Sequence, residues 1–234
     1  MKFLTMLLLT GKLSKVMLTG GTMLLSLVTY AWVFGWRYAA GLVGLLFAHE
    51  MGHYLAARHR GLDVGAPCFI PFVGAWINLK EQPMDAETEA FVALAGPVVG
   101  SIAAFVCYLL GSSSGSPWLI AIAYGGFFLN LFNLIPVSPL DGGRIMAAIS
   151  PLMWLIGFPL LIGLFLWHPS PMLILIAVLA APQVWKVLRN RDVLRDTYYQ
   201  VPRNVRIGYA AQYLVLVGFL SITTYELHTM LGSY

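Results

Sequence analysis

Long runs of apolar residues, separated by short polar segments, dominate the chain. A helix that crosses a bilayer needs about 20 apolar residues, and seven charge-free or nearly charge-free runs reach or approach that length. These runs are residues 16–36, 38–57, 90–110, 117–135, 151–167, 171–185 and 207–225. The pattern predicts an all-α polytopic membrane protein with about seven transmembrane helices, of which the fifth and sixth are the shortest.

The composition agrees with a membrane protein. Of the 234 residues 59% are hydrophobic and 10% are charged, whereas soluble domains carry about 25% charged residues. The formal net charge of +4 does not indicate nucleic acid binding, because the basic residues are not interleaved with aromatic residues on a soluble face. The two cysteines, Cys68 and Cys107, are too few for a disulfide framework, and both are expected to stay reduced.

The basic residues predict the orientation in the membrane. Lys and Arg accumulate on the cytoplasmic side of short loops. If the N-terminus is cytoplasmic, every one of the 14 Lys and Arg residues except Arg37 lies on that side. We therefore expect a multi-pass integral protein of a prokaryotic cytoplasmic membrane with a cytoplasmic N-terminus. The basic stretch 186–206 is expected to contact anionic lipid rather than a dedicated partner.

The second apolar run contains ionisable residues that lipid does not tolerate. His49 and His53 are four residues apart, so a helix places them on one face, and Glu50 lies beside them. This H-E-x-x-H spacing is typical of two zinc ligands with a glutamate that acts as a general base. Interhelical hydrogen bonding is the alternative, but a glutamate at membrane depth is costly enough to indicate a function. Counting back from Arg58 at ~1.5 Å per residue puts both histidines roughly 8 to 14 Å from the inner helix end.

A catalytic zinc ion usually has three protein ligands and one open position. His168 and His228 fall on the outer side, and His59 lies at the aqueous end of the second span. The acidic residues Asp63, Glu81, Asp85, Glu87 and Glu89 fall in a cytoplasmic loop that is not easily held at membrane depth. Asp141 remains, in the stretch "FNLIPVSPLDGGRI". Its prolines and glycines predict a broken fourth helix, and irregular backbone at membrane depth occurs only where it lines a cavity in the protein. Asp141 is thus the predicted third ligand, with a helix-capping aspartate as the alternative.

Two further segments are expected to meet a substrate. Asn133 could hold the substrate backbone or an oxyanion, or could equally join two helices. Residues 66–79, "APCFIPFVGAWINL", are too short to span and rich in strand formers around residues 72–77. They predict a re-entrant loop or β-hairpin after the second span, whose exposed edge pairs with extended substrate. The predicted contact residues there are Gly74, Ala75 and Trp76, and a loop without a substrate role is the alternative.

Three motifs together resemble a known family. "HEMGH" in one span and "NLIPVSPLDGG" after another, with "ALAGPVVG" between them, resemble the site-2 protease family of intramembrane zinc metalloproteases. The resemblance covers about residues 38–190. It implies that His49, His53 and Asp141 bind Zn²⁺, that Glu50 is the catalytic acid and base, and that Asn133 contacts substrate. It also implies a metalloendopeptidase that cuts membrane proteins in or near their transmembrane helices, as in regulated intramembrane proteolysis.

The sequence is thus divided into three regions. Residues 1–37 are expected to form an interfacial N-terminal helix and the first span, residues 38–190 the metalloprotease core, and residues 191–234 a basic cytoplasmic linker and the C-terminal span. The expected partners are a membrane-protein substrate and the lipid bilayer, and not nucleic acid. Two other classes stay open: a metal transporter, which calls for polar groups in both halves of the bilayer, and a catalytically silent scaffold homologue.

Overall fold

The computed structural model describes residues 2–71, 74–79, 83, 85–190, 192 and 195–232. This part of the chain forms eight α-helices and one two-stranded antiparallel sheet. The helices are α1 (Lys2–Phe34), α2 (Trp36–His59), α3 (Ala86–Ser114), α4 (Pro117–Asn133), α5 (Asp141–Ile149), α6 (Trp154–Trp167), α7 (Pro171–Arg189) and α8 (Arg203–Gly232). The strands are β1 (Val64–Ile70) and β2 (Gly74–Leu79). Short 3-10 turns at Pro151–Met153 and Thr197–Tyr199 precede α6 and α8.

Each of the seven predicted spans lies mainly on one helix, although the first and fourth runs pass the ends of α1 and α4 and the fifth begins in a 3-10 turn. The helical character is confirmed. Four helices, α1, α3, α7 and α8, are long and apolar enough by length and composition to cross a membrane. The apolar helix α4 and the segment Pro151–Trp167 are shorter, and α2, which carries the ionisable residues, is not among the four. The number of seven spans therefore stays a prediction.

Several helices extend beyond the apolar runs, because backbone hydrogen bonding continues into the polar flanks. Helix α3 starts at Ala86 rather than at residue 90, since the Asp85 side chain accepts a hydrogen bond from the Thr88 backbone N–H at 2.7 Å and so caps the helix. Helix α1 is continuous from Lys2 to Phe34. The assignment of its first part to the membrane interface stays a prediction.

A β-hairpin follows α2, in the segment for which the sequence predicts a loop or hairpin. Strand pairing begins at Val64, before the predicted segment, and Pro67 lies inside β1 instead of breaking the structure. A proline is tolerated in a strand where its missing N–H would not face the paired strand. Residues 72 and 73 of the predicted region lie outside the described residues. Cys68 of β1 and Cys107 of α3 are both free thiols.

The outer edge of β1 is covered by α1. The Thr19 hydroxyl donates to the Pro67 carbonyl at 2.8 Å, and the Phe69 backbone N–H donates to the Thr22 hydroxyl at 3.2 Å. Backbone groups of residues 67 and 69 therefore point away from β2. Since an unpaired strand edge readily takes up another extended chain, α1 closes one of the two edges of the hairpin.

The register shows which backbone groups of β2 face outward. Pro67 pairs with Ile77, and Phe69 pairs with Ala75. Residues directly opposite each other in an antiparallel ladder alternate between hydrogen-bonded and non-hydrogen-bonded pairs. Because residues 67 and 69 face outward, both pairs are of the non-hydrogen-bonded kind. The backbone N–H and C=O groups of Ala75 and Ile77 therefore point to the outer edge of β2.

The fourth predicted span is broken, as its prolines predict. Helix α4 ends at Asn133, residues 134–140 form turns, and α5 starts at Asp141. The chain folds back closely here: a Cβ on Gly142 would lie 2.2 Å from the Leu134 carbonyl oxygen, and one on Gly143 would lie 2.2 Å from the Ser138 nitrogen. Only glycine fits at these two positions.

One apolar cluster joins the five helices around this break. Leu45, Ala93, Phe127, Ile145 and Leu220 are buried in it, one from each of α2, α3, α4, α5 and α8. Burial of apolar side chains between helices fixes their relative positions. The cluster thereby sets α2, which carries the H-E-x-x-H motif, against the break that precedes Asp141.

Candidate metal centre

His49, His53 and Asp141 meet at one point, although Asp141 is 88 residues from His53 in sequence. The Nε2 atoms of the two histidines are 3.1 Å apart. The Asp141 Oδ2 atom lies 3.2 Å from His49 Nε2 and 3.3 Å from His53 Nε2. His49 is 3% and Asp141 is 7% exposed. The structure thus brings together the three side chains predicted as zinc ligands.

These distances fit a tetrahedral metal site. Two ligand atoms that are each about 2.0 Å from a tetrahedral zinc ion lie roughly 3.3 Å from each other. The three measured separations of 3.1, 3.2 and 3.3 Å agree with that spacing. Two imidazole nitrogens and one carboxylate oxygen are also ligand types that zinc prefers. The residues present therefore fit a zinc ion with one open position.

Asn130 of α4 orients the ring of His49. The Asn130 Nδ2 donates to the Gly126 carbonyl oxygen at 2.8 Å, so its Oδ1 is the atom that lies 2.8 Å from His49 Nδ1. An amide oxygen only accepts hydrogen bonds, and His49 Nδ1 must therefore carry the proton. The lone pair of His49 is then on Nε2, which faces Asp141. Asn130 is 1% exposed.

The backbone of α3 orients the second histidine in the same way. His53 Nδ1 lies 2.8 Å from the Val92 carbonyl oxygen, which is also only an acceptor. The proton is again on Nδ1, and Nε2 is again free to bind a metal. Hydrogen bonds of this kind from the second ring nitrogen are typical of histidine ligands and fix both the tautomer and the ring direction.

The hydrogen bonds of these side chains bear on the alternatives. Interhelical hydrogen bonding does occur, but it uses Nδ1 of each histidine and leaves both Nε2 atoms for the centre. Asp141 does not cap a helix: it is the first residue of α5, Leu140 precedes it as the N-cap, and no side-chain capping bond is formed. Two Nε2 lone pairs and a carboxylate oxygen repel one another unless a proton or a metal cation lies among them, and a metal cation can bind all three at once.

Glu50 lies next to this triad. His49, Glu50 and His53 each offer a ligand atom, and these atoms lie within 4.8 Å of one another. This proximity puts Glu50 beside the metal position, and at 4% exposed it is shielded from bulk solvent. Asp141 is the nearer carboxylate to the two Nε2 atoms, which favours Asp141 as ligand and leaves Glu50 for proton transfer.

Glycines on α3 make room for the centre. A Cβ on Gly96 would lie 2.3 Å from the His53 ring, and one on Gly100 would lie 2.4 Å from Asn130 Oδ1. On α2, a Cβ on Gly52 would lie 2.4 Å from the Ala95 carbonyl oxygen. The "ALAGPVVG" motif therefore lets α3 approach the metal ligand and the residue that orients the other ligand.

Replacing Asn130 should weaken metal binding without removing a ligand. We expect Asn130→Leu to lower zinc affinity by about 10- to 100-fold, since His49 loses the partner that fixes its tautomer. Competition with a zinc chelator, on purified protein in detergent, measures this. Asn190→Leu is the control, because Asn190 is an exposed residue at the end of α7. Equal affinity of the two variants would mean that Asn130 does not position His49.

The other predicted site residues are placed as follows. Asn133 is the last residue of α4, and its Nδ2 donates to the Leu129 carbonyl of the same helix at 3.2 Å. Gly74, Ala75 and Trp76 lie in β2, which packs along α2; only their backbone is described. Gly74 and Trp76 face β1 in the ladder, so Ala75 is the member of this set whose backbone groups point outward.

The known proteins that this chain is similar to are zinc metalloproteases. A model of peptidase family M50 matches residues 37–125. A zinc metalloprotease of Methanocaldococcus jannaschii is 31% identical over 106 residues, which cover 43% of this chain and 30% of that protein. A probable chloroplast zinc metalloprotease of Arabidopsis thaliana is 33% identical over 154 residues, which cover 45% of this chain and 28% of that protein. This chain spans less than a third of the length of either relative.

One solved structure also aligns with the chain. The site-2 protease from Methanocaldococcus jannaschii superposes with a TM-score of 0.48 and 22% sequence identity. The alignment covers 77% of this chain and 88% of that chain.

Proposed function

We propose that the chain is a member of peptidase family M50, whose model matches residues 37–125, and that it is an intramembrane zinc metalloprotease. Its reaction is the hydrolysis of peptide bonds in or near the transmembrane helices of membrane proteins. The observation that carries the proposal is the convergence of His49 Nε2, His53 Nε2 and Asp141 Oδ2 at tetrahedral spacing beside a buried glutamate. The experiment that tests it is the Glu50→Gln substitution described in the Discussion.

The residues of the site have different roles in the proposed reaction. His49, His53 and Asp141 would hold Zn²⁺, which supplies Lewis acidity that acidifies a water molecule and polarises a carbonyl group. The Glu50 carboxylate accepts the proton of the attacking water and returns it to the leaving amine. Asn130 and the Val92 carbonyl keep both imidazole rings in the tautomer that presents Nε2.

The substrate must be extended where it is cut, because the carbonyl groups of a helix are engaged in hydrogen bonds. We infer that it binds as an added strand at the outer edge of β2. The register supports this edge: Ala75 and Ile77 direct their backbone groups outward, whereas Thr19 and Thr22 of α1 occupy the edge of β1. Asn133, at the end of α4, is the further candidate for a substrate contact.

Proline substitutions on β2 test this assignment. Ala75→Pro or Ile77→Pro removes one outward backbone donor and keeps the strand, so we expect cleavage to fall by about three- to tenfold, the effect of one lost hydrogen bond. Ala75→Val and Ile77→Val are the matched controls, because they change the side chain and keep the N–H. Cleavage is measured on a reconstituted substrate, and zinc content is measured alongside. Equal cleavage by the proline and valine variants, with zinc retained, would exclude this edge.

We also infer the placement in the membrane from the sequence. Seven spans, a cytoplasmic N-terminus and a prokaryotic cytoplasmic membrane follow from the apolar runs and from the distribution of Lys and Arg. The helix bounds support this placement, since each predicted span lies mainly on one helix. The metal centre then lies nearer to the cytoplasmic face.

A further inference from the structure

Helix α8 lies outside the matched residues 37–125, yet it packs against the metal-bearing part of the fold. It contacts α4 and α5, the two helices on either side of the break. Tyr213 and Leu220 of α8 are buried in the same apolar cluster as Phe127 of α4 and Ile145 of α5. The rings of Phe127 and Phe219 meet edge to face at 5.9 Å.

Tyr213 holds the start of the break. Its hydroxyl donates to the Leu134 carbonyl oxygen at 2.5 Å, and the bond is buried. Leu134 directly follows α4, where helix carbonyls have lost their partners within the helix. The same oxygen is packed against Gly142, since a Cβ on Gly142 would lie 2.2 Å from it. The Leu134 carbonyl is therefore fixed between the Tyr213 hydroxyl and the residue that follows Asp141.

Arg206 holds the other end of α5. Its Nη1 donates to the carbonyl oxygen of Ile149, the last residue of α5, at 3.0 Å. Its Nη2 and Nε donate to the Tyr199 and Val201 carbonyls at 2.8 and 2.9 Å. Charge-assisted hydrogen bonds of this kind are roughly twice as strong as neutral ones. The guanidinium thus links the end of α5 to the chain that leads into α8.

These contacts matter because α5 cannot hold its position by itself. It has nine residues, and isolated helices of this length are not stable in water or rigidly placed without packing. Its first residue, Asp141, must lie within about 0.5 Å of the position that zinc requires to act as a ligand. The two histidines lie on a different helix, α2, so the contacts that hold α5 in the fold set the distance of Asp141 from them.

We propose that Tyr213 and Arg206 form a C-terminal clamp, which holds α5 so that Asp141 stays within ligand distance of His49 and His53. The proposal rests on the proposed function in one respect, namely that these three residues bind zinc. Tyr213 and Arg206 are positioning residues and touch neither the metal nor the substrate. The clamp gives α8 a role in metal affinity.

The test compares Tyr213→Phe and Arg206→Gln with two matched controls on α8. Tyr225→Phe removes the hydroxyl of a tyrosine that is 67% exposed, and Arg203→Gln neutralises an exposed arginine. The full chain is purified in detergent, and its zinc affinity is measured by chelator competition. We expect Tyr213→Phe to bind zinc about three- to tenfold more weakly than Tyr225→Phe. Arg206→Gln should bind zinc more weakly than Arg203→Gln by at least the same factor.

A second readout separates positioning from general stability. The visible spectrum of the Co²⁺-substituted protein reports the ligands of the ion, and in the clamp variants it should shift towards that of Asp141→Asn. The melting temperature of the metal-free protein is measured in parallel. A lowered melting temperature with unchanged zinc affinity and an unchanged cobalt spectrum would show that the two residues only stabilise the fold, and would overturn the clamp.

The zinc affinity of His53→Ala, measured beside that of the wild type, distinguishes an error in the metal centre from an error in the clamp. If its zinc affinity equals that of the wild type, the metal centre itself is wrong and the proposed function fails. If His53→Ala loses zinc while Tyr213→Phe and Arg206→Gln match their controls, the metal centre stands and the clamp alone is rejected.

Discussion

The variant Glu50→Gln should lose peptide-bond cleavage by at least about a thousandfold, within the range that a positioned acid–base group contributes, and should keep its zinc. The substitution preserves the size of the side chain and removes its ability to accept a proton. The ligand atoms His49 Nε2, His53 Nε2 and Asp141 Oδ2 are untouched. Chemistry should therefore fail while metal binding persists.

Cleavage by the variant is followed on a transmembrane substrate in detergent or liposomes, with zinc content measured on the same sample. Candidate substrates come from comparing the membrane fragments of cells that express the wild type or Glu50→Gln. Glu226→Gln, an exposed glutamate on α8, is the matched control. Full turnover by Glu50→Gln would refute the mechanism. A cellular effect of the wild-type protein that does not depend on cleavage would favour a catalytically silent scaffold. Metal uptake without cleavage would favour a transporter.

Asp141→Asn should lower zinc affinity by at least about a hundredfold and abolish cleavage with it. Loss of even an outer partner of a metal ligand costs 10- to 100-fold in affinity, and here a ligand atom that faces both histidines at 3.2 and 3.3 Å loses its charge. Asparagine keeps the shape of the side chain, so a change in zinc affinity reflects the loss of the carboxylate charge and not the creation of a cavity.

Chelator competition gives the affinity, and Asp192→Asn is the control because that side chain is 79% exposed. Comparison of Glu50→Gln with Asp141→Asn also shows which of the two carboxylates binds the metal. If Glu50→Gln released zinc and Asp141→Asn retained it, Glu50 would be the ligand and the roles proposed for the two residues would be exchanged.

The sequence alone predicted the three candidate ligands that the structure brings together. The spacing of His49 and His53 places both imidazoles on one face of any helix, because the helical period is fixed by backbone geometry. The cost of ionisable groups at membrane depth pointed to a shared cation. Asp141 followed because the prolines before it break the helix. The expectation that Gly142 and Gly143 also prevent a helix was wrong, since both lie in α5, where they permit close packing against residues 134 and 138.

The hairpin was predictable in part. Strand-forming residues indicated a hairpin after α2, but the sequence could not give its register. Pro67 reads as a strand breaker, yet it lies in β1 because its carbonyl meets Thr19 of α1, about fifty residues earlier. Which edge of the hairpin α1 covers depends on a contact between two distant segments, and local pattern carries no information about it.

Local sequence thus determined which residues could bind a metal and roughly where helices begin and break, since propensity, periodicity and the cost of burying charge act within a few residues. The tertiary structure decided how those residues are held: Asn130 and Val92 orient the histidine rings, Gly96 admits the ring of His53, and Tyr213 fixes the turn before Asp141. Each of these contacts joins segments that are dozens of residues apart, and only the packing of whole helices around a common core brings such segments within hydrogen-bonding distance.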